Sequence, residues 1–264
     1  MKKHILISGA GIAGLTAANF LAKQGHNVTV IDRSPSFSKA GFLISLKSFG
    51  VKIMDELGLT QNLQAESSPS ETVHFVETNE GVIQSIDYDK MHTNIERSVL
   101  ISRGGLHHVL YEAVKNDVNV LFDTTISQLE EKSDMTKVTL SNGNSIHVDL
   151  VVVSEGLRSS TRERYFTNYQ LEHFNTLYVG RKLKKNHEKQ VGVFKVYIDV
   201  NRSLHIYPIA EDEIAIQCYI RSSENIGYIK NNASSILKDF FGDYNPEVKQ
   251  LLQNLLDDGL FFMD

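Results

Sequence analysis

Apolar positions in the first 60 residues fall into blocks of distinct rhythm. The run Ile5-Leu6-Ile7 passes directly into Gly9-Ala10-Gly11-Ile12-Ala13-Gly14, and from about Ile12 to Lys23 the apolar residues repeat at helical spacing until Gly25 stops them. A second apolar run, Val28-Thr29-Val30-Ile31, ends in Asp32. The pattern predicts a strand, a glycine turn, a helix and a second strand tipped with a carboxylate. Residues 33–41 are polar and contain Pro35 and Gly41, so they read as a loop. Helical spacing returns from Ser48 through Val51, Met54 and Leu57, and stops at Gly58.

The character changes after that. Val73, Phe75 and Val76, then Val82, Ile83 and Ile86, flank the turn Asn79-Glu80-Gly81 and predict an antiparallel hairpin within 71–89. Such a hairpin does not belong in a parallel sheet, so it reads as an excursion into a second domain. Val99-Leu100-Ile101-Ser102-Arg103 returns to the earlier pattern, followed by a helix carrying Leu106, Val109, Leu110 and Val114. Val118 to Phe122 is a strand, 127–148 a β-meander turning at Ser141-Asn142-Gly143-Asn144, and Leu150-Val151-Val152-Val153 a strand buried on both faces. Beyond Arg164, alternation over Val191–Val200, Leu204–Pro208 and Ile214–Ile220 predicts a larger antiparallel sheet. Asn231 to Leu256 is helical by periodicity, with Pro246 dividing it into two helices. The basic cluster at 181–185 reads as a solvated loop or strand end.

The fold class expected is therefore α/β: a Rossmann-like, doubly wound nucleotide-binding domain (1–70 and 99–163) with an inserted antiparallel-sheet domain (71–98 and 164–259). The glycines have physical tasks in such a frame. Gly9 makes the tight turn, Gly11 lets the backbone approach a pyrophosphate, and Gly14 lets helix and strand pack closely. The helix N-terminus at Ile12 and Ala13 presents unpaired N–H groups to the phosphates. Asp32 lies about 20 residues on, where its carboxylate accepts the hydroxyls of an adenosine ribose. The motif indicates a dinucleotide without saying which. Two further turns bear on this: Ser102-Arg103-Gly104-Gly105, where an arginine opens a helix, and Val153-Ser154-Glu155-Gly156-Leu157-Arg158-Ser159-Ser160-Thr161-Arg162. Both are expected at the carboxyl ends of parallel strands, where open α/β sheets bind ligands.

Composition narrows the partners. With 41% hydrophobic and 22% charged residues over 264 positions, the chain is an ordinary globular one. A net charge of −5 gives no reason to expect nucleic acid or an anionic membrane. No run of about 18 apolar residues is present, so no membrane-spanning helix is expected. A single cysteine, Cys218, excludes an internal disulfide and fits a reducing, cytoplasmic compartment. No Cys/His spacing suggests a metal, and the adjacent His107 and His108 point in different directions on a helix.

These segments together resemble the FAD-dependent aromatic hydroxylases, single-component flavin monooxygenases like p-hydroxybenzoate hydroxylase, with tetracycline-inactivating relatives. Gly9, Gly11, Gly14 and Asp32 match the family's FAD motif, with Arg33 following the acid. Gly41-Phe42-Leu43-Ile44-Ser45-Leu46 matches the segment that passes near the flavin, and Arg103 the arginine that contacts FAD. Residues 153–162 look like the family's Asp-Gly motif, with Glu155 and Gly156 at its centre, touching both FAD and NAD(P)H. The resemblance implies an FAD cofactor, NAD(P)H as reductant, and a small aromatic substrate held against the antiparallel sheet and hydroxylated through a flavin C4a-hydroperoxide. No catalytic side chain is assigned.

Two departures from the family pattern stand out. Glu155 replaces an aspartate, adding a methylene, and the family's Gly-Asp motif does not follow the helices before Asp264. From the second departure come an alternative expectation, a catalytically silent nucleotide-binding remnant that needs another chain, and an expectation of self-association or lowered stability through an open sheet edge.

Overall fold

A computed structural model describes residues 1–79, 81–87, 98–172, 174–184, 192–210, 213–222, 232–256 and 262–263. Glu80 of the expected hairpin turn, positions 88–97 of the excursion, Lys185, Val191, Asn231 and 257–259 lie outside the described residues. In chain order the elements are β1 (His4–Ser8), α1 (Ile12–Lys23), β2 (Asn27–Ile31), β3 (Leu43–Leu46), α2 (Ser48–Glu56), α3 (Thr60–Ala65), β4 (Thr72–Val76) and β5 (Val82–Asp87). Then follow β6 (Val99–Ser102), α4 (Arg103–Val114), β7 (Asn119–Leu121), β8 (Ile126–Glu131), β9 (Thr136–Leu140), β10 (Ser145–Val148), β11 (Leu150–Val153) and α5 (Ser160–Tyr165). The chain continues with β12 (Thr176–Lys184), β13 (Val193–Asp199), β14 (Arg202–Ala210), β15 (Glu213–Arg221), α6 (Ala233–Phe241), α7 (Pro246–Leu256) and β16 (Phe262–Met263). They form two compact units, the first from Met1–Gly41, Phe49–Glu66 and Ser102–Gln170, the second from Phe42–Ser48, Ser67–Ile101 and Leu171–Asp264.

The first unit is built on a four-stranded, all-parallel sheet in the order β11-β1-β2-β7. Ile5, Leu6 and Ile7 are almost completely buried, which is why β1 reads as an unbroken apolar run. Leu6 and Ile31 face the three-stranded meander β8–β10 and pack on Ile126, Val138, Leu140 and Val148. Strand alternation puts Ile5 and Ile7 on the other face, the side of the α1–α4 pair. Buried Asn19 joins those two helices: its Nδ2 donates to the carbonyl oxygens of Leu15 at 2.8 Å and Leu110 at 2.9 Å. The architecture is Rossmann-like α/β, with an antiparallel meander as the layer opposite the helices.

One expected strand lies elsewhere. β6 pairs with β3 in a two-stranded sheet and takes no place in the four-stranded parallel sheet, which corrects the expectation that Arg103 follows a strand of that sheet. An apolar run such as Val-Leu-Ile-Ser records burial, and burial does not say which sheet supplies it.

The second unit carries a seven-stranded sheet in the order β16-β12-β15-β14-β13-β4-β5. The expected antiparallel sheet is in fact mixed, because β4 runs parallel to β13 with Val73 opposite Phe194. Of the two expectations for 181–185, a solvated loop or a strand end, the structure shows the second: Arg181 to Lys184 are the last residues of β12, paired with β15. One sheet face packs Val179, Leu204, Ile216 and Cys218 against Phe241 and Val248 of α6 and α7. Pro246 opens α7, where its missing N–H costs no helical bond. Arg202 fixes α6 to the β13–β14 turn by pairing with Asp199 and Asp243 and donating to the Phe240 carbonyl. Among the described residues no helix is long and apolar enough to cross a membrane, and no side-chain group could hold a metal ion.

Candidate functional site: an open turn at the parallel strand ends

The turn after β1 is shaped by two positions where a side chain has no room. Gly9 has φ +108°, and a Cβ there would stand 2.4 Å from the Ser154 carbonyl oxygen. At Gly14 a Cβ would stand 1.8 Å from the Gly9 carbonyl oxygen and 2.7 Å from Ser154 Oγ. Ser154 fastens the same turn, its hydroxyl lying 3.0 Å from the carbonyl oxygens of both Ser8 and Gly9. Gly11 differs: nothing lies within 4 Å of where its Cβ would be. It forms the N-cap of α1 without a side-chain cap, and no acidic residue occupies the first turn. The first intrahelical donor is Leu15, whose N–H reaches the Gly11 carbonyl at 2.9 Å. The N–H groups of Ile12, Ala13 and Gly14 therefore lack an intrahelical acceptor, as at any helix start. Together with the positive end of the helix dipole they form an anion-binding concavity.

Asp32 borders that concavity from the end of β2. Its Oδ2 accepts the Ala10 N–H at 2.7 Å and its Oδ1 the Ser34 N–H at 2.8 Å. Each oxygen keeps a lone pair for a ligand hydroxyl. A cavity of about 80 Å³ opens here, bordered by Gly9, Asp32, Arg33, Thr124, Thr125 and Arg158. Arg33 itself is exposed.

Glu155 closes the far side, and its environment is specific. Oε1 accepts from Ser8 Oγ at 2.5 Å and Thr161 Oγ1 at 2.6 Å; Oε2 accepts from Ser159 Oγ at 2.7 Å and the Thr161 N–H at 3.1 Å. The carboxylate is thus fully engaged by the protein, and it ties β1 to the start of α5. Burial alone would raise its pKa, and is the largest single influence. The hydrogen bonds from Ser8, Thr161 and Ser159 and from the Thr161 amide together outweigh it, holding the carboxyl below its ordinary value. A lowered folded-state pKa means stabilisation that is present at neutral pH and lost as the pH falls through the acidic range below the ordinary carboxyl value. Glu155→Gln is expected to cost about 1–3 kcal/mol at pH 7, and the gap to wild type should narrow at about pH 4. Urea unfolding at both pH values checks this; a gap that stays constant would contradict it. Gly156, at φ +77°, turns the chain beyond, where Arg162 Nη1 donates to its carbonyl oxygen at 3.1 Å.

Gly9, Gly11, Ile12, Ala13, Gly14, Asp32, Arg33, Glu155 and Gly156 thus gather at the ends of β1, β2 and β11. Arg103 arrives by a different route. It opens α4, exposed, immediately after Ser102, whose hydroxyl caps the helix by accepting the Gly105 N–H at 2.9 Å. Its stem passes against Gly41, where φ is +125° and a Cβ would stand 2.8 Å from Arg103 Cβ. Sequence reasoning missed the hydroxyl set around Glu155 and also His107. The ring of His107 reaches the carbonyl oxygens of Ala10 at 2.6 Å and Ser38 at 3.2 Å. Ser8 and Thr161 gave a visible signal, being hydroxyls at strand and helix ends; a contact spanning 97 positions, as from His107 to Ala10, gave none.

The sheet of the second unit has a contrasting face. Opposite its helical layer, Tyr178, Tyr219, His205 and Phe194 form a chain of rings, with centroids 5.1 Å, 4.9 Å and 5.7 Å apart in that order. Gln217 donates to Tyr178 Oη. Burial pushes the His205 pKa down to about 4, so this ring is neutral near pH 7. The result is an aromatic surface with uncharged polar groups.

The residues present fit a dinucleotide: a turn in which side chains are excluded, open amides, and a carboxylate with spare acceptor capacity. The family profile for FAD binding domains matches residues 2–249. The FAD-dependent monooxygenase asL4 of Sarocladium schorii is 32% identical over 163 residues, covering 60% of this chain and 38% of that protein. A flavin-dependent monooxygenase from an unidentified prokaryote is 25% identical over 270 residues, covering 99% of this chain and 69% of that protein. Thus the match takes in well under half of asL4 and about two thirds of the second relative. In fold, the chain is similar to HpxO of Klebsiella pneumoniae, solved with FAD and uric acid. The TM-score is 0.83 and the identity 18%, covering 99% of this chain and 67% of that one.

Proposed function

The chain belongs to the FAD binding domain family, and from that premise we propose that it binds FAD and serves an FAD-dependent monooxygenase reaction on a small, planar, aromatic substrate. The observation that carries the reading is the open turn from Gly9 to Gly14 facing Asp32. Ile12 and Ala13 N–H groups, with the α1 dipole behind them, hold the pyrophosphate. Asp32 accepts the ribose hydroxyls, and its bond to the Ala10 amide keeps it aimed at them. Arg33 and the Thr124–Thr125 edge border the adenine end. Glu155 orders the turn from behind, and Gly156 leaves space beside it. Arg103 brings a fixed positive charge along Gly41 toward the flavin end.

FAD held by the Gly9–Gly14 amides and Asp32 would supply the redox chemistry: with a hydride from NAD(P)H and a proton, one atom of O₂ would enter the substrate and the other would leave as water. The aromatic face of the second unit supports the substrate class: Tyr178, Tyr219 and Phe194 offer stacking surfaces, and neutral His205 and Gln217 offer hydrogen bonds without a counter-charge. Monooxygenase names among the relatives favour this reading over a silent nucleotide-binding remnant. A cytoplasmic setting accords with the buried, unpaired Cys218.

The test uses the purified chain with FAD, NAD(P)H and ¹⁸O₂ across a panel of phenols and fused aromatic rings. The expected result is NAD(P)H oxidation stimulated by at least one compound, with one ¹⁸O atom in its product. FAD bound stoichiometrically, with no compound in such a panel gaining ¹⁸O, would contradict the monooxygenase assignment.

A further inference from the structure

His107 on α4 faces two acceptors that have no proton to give. Its Nε2 lies 2.6 Å from the Ala10 carbonyl oxygen and its Nδ1 3.2 Å from the Ser38 carbonyl oxygen. A neutral imidazole carries one N–H and satisfies one of them; only the imidazolium donates at both nitrogens. His4 provides the internal contrast. Its ring lies between the His147 carbonyl oxygen at 3.0 Å and Thr29 Oγ1 at 3.1 Å, and because the hydroxyl can donate, a neutral ring satisfies both.

We infer that His107 is a positioning residue for the dinucleotide-binding turn, acting in its doubly protonated form. This rests on the FAD-binding reading above. Ala10 stands at the centre of the turn: its N–H is bonded to Asp32, and its carbonyl belongs to the same peptide group as the Gly11 N–H. In a trans peptide that N–H points away from the carbonyl. A cation donating to the Ala10 oxygen therefore polarises the Gly11 N–H toward the pyrophosphate space. It also places one positive charge directly behind the turn. On its other side the ring secures the loop that follows Asp32, where Phe37 lies over His107 with centroids 4.7 Å apart and stacks on Tyr111 at 4.5 Å. Gly104 brings the same loop close, since a Cβ there would stand 2.4 Å from the Lys39 carbonyl oxygen.

The charged and titratable groups around the ring come from each packed element. α4 itself contributes Arg103, His108 and Tyr111; the loop contributes Lys39, which is paired with Glu66 beyond α3 at 2.6 Å. Glu66 also lies 4.0 Å from His108, and β2 contributes Asp32 through the Ala10 amide. Among the described residues no carboxylate bonds His107 directly; its two ring nitrogens meet only the carbonyl oxygens.

The sign follows: losing that proton breaks one of the two bonds, so FAD affinity falls as pH rises through the imidazole range. FAD titrations of wild type and His107→Gln at about pH 6 and pH 8 read this, with wild type expected to weaken about tenfold between them. His107→Gln should show no such slope and match the weaker, high-pH wild type. Independently, ¹⁵N-histidine spectra of the wild-type chain without FAD at pH 6 should show both His107 ring nitrogens protonated. A wild-type pH slope retained in His107→Gln, a flat wild type, or an unprotonated His107 nitrogen at pH 6 would each overturn the inference. Failure of wild type to bind FAD at either pH would instead sink the cofactor reading, with the spectra still deciding the state of His107. If His107→Gln does not fold, the wild-type spectra and slope decide alone.

Discussion

Gly14→Ala should abolish FAD binding and destabilise the chain by about 3 kcal/mol or more, the upper end of what overpacking costs. The added methyl would stand 1.8 Å from the Gly9 carbonyl oxygen, a backbone atom with no rotamer to relieve it. α1 would have to move away from β1, opening the turn and drawing the Ile12 and Ala13 amides out of line. Gly11→Ala is the informative partner, because nothing lies within 4 Å of that Cβ. It should leave stability within about 1 kcal/mol of wild type, yet weaken FAD, because the methyl would occupy the space through which the pyrophosphate approaches. Thermal unfolding with and without FAD separates the two effects. Wild-type stability and affinity in Gly14→Ala would mean the turn is not the close-packed structure described.

Asp32→Ala is expected to weaken FAD about 100-fold, because it removes a charged acceptor from the ribose and leaves two amides without their partner. Those amides are Ala10 at 2.7 Å and Ser34 at 2.8 Å. Asp32→Asn should fall between, since the carboxamide keeps one acceptor but presents a donor to the other amide. Fluorescence titration checks both, and an affinity within about twofold of wild type in Asp32→Ala would remove Asp32 from the site.

What the sequence made legible was the part of the fold governed by neighbours in the chain. β1, α1 and β2, with Asp32 at the tip, follow from a run, a glycine turn, a helical repeat and a second run within 29 positions. The β4–β5 hairpin and the β8–β10 meander follow from alternation around turn residues, and the division of the last helices from Pro246. Missed elements were short or carried a mixed pattern. α3 buries only Leu63 in six residues, and β3 is four half-buried residues whose partner, β6, lies more than 50 positions on. β12 alternates, but Gly180 interrupts it and its basic end looked solvated, whereas Arg181 Nη1 donates to the Asn254 carbonyl oxygen at 2.8 Å. The parallel pairing of β4 with β13 had no local signal, since registers between distant strands are set by packing.

The site divides the same way. The glycines and Asp32 carry spacing that can be read directly. Glu155 could be located, but its engagement by Ser8 depends on β1 and β11 lying side by side, and that by Ser159 and Thr161 on the chain turning back into α5. Arg103 was found for its place before a helix, although β6 does not belong to the parallel sheet.

The central claim is that this chain grips a dinucleotide by its adenosine diphosphate half, through the amides of the Gly9–Gly14 turn and the Asp32 carboxylate. Competition calorimetry with FAD, ADP and FMN tests it most directly. FAD should bind once per chain, ADP should displace it competitively, and FMN, which lacks the adenosine half, should compete at least about tenfold more weakly than ADP. Displacement by FMN as effective as by ADP, or an absence of FAD binding, would contradict the account.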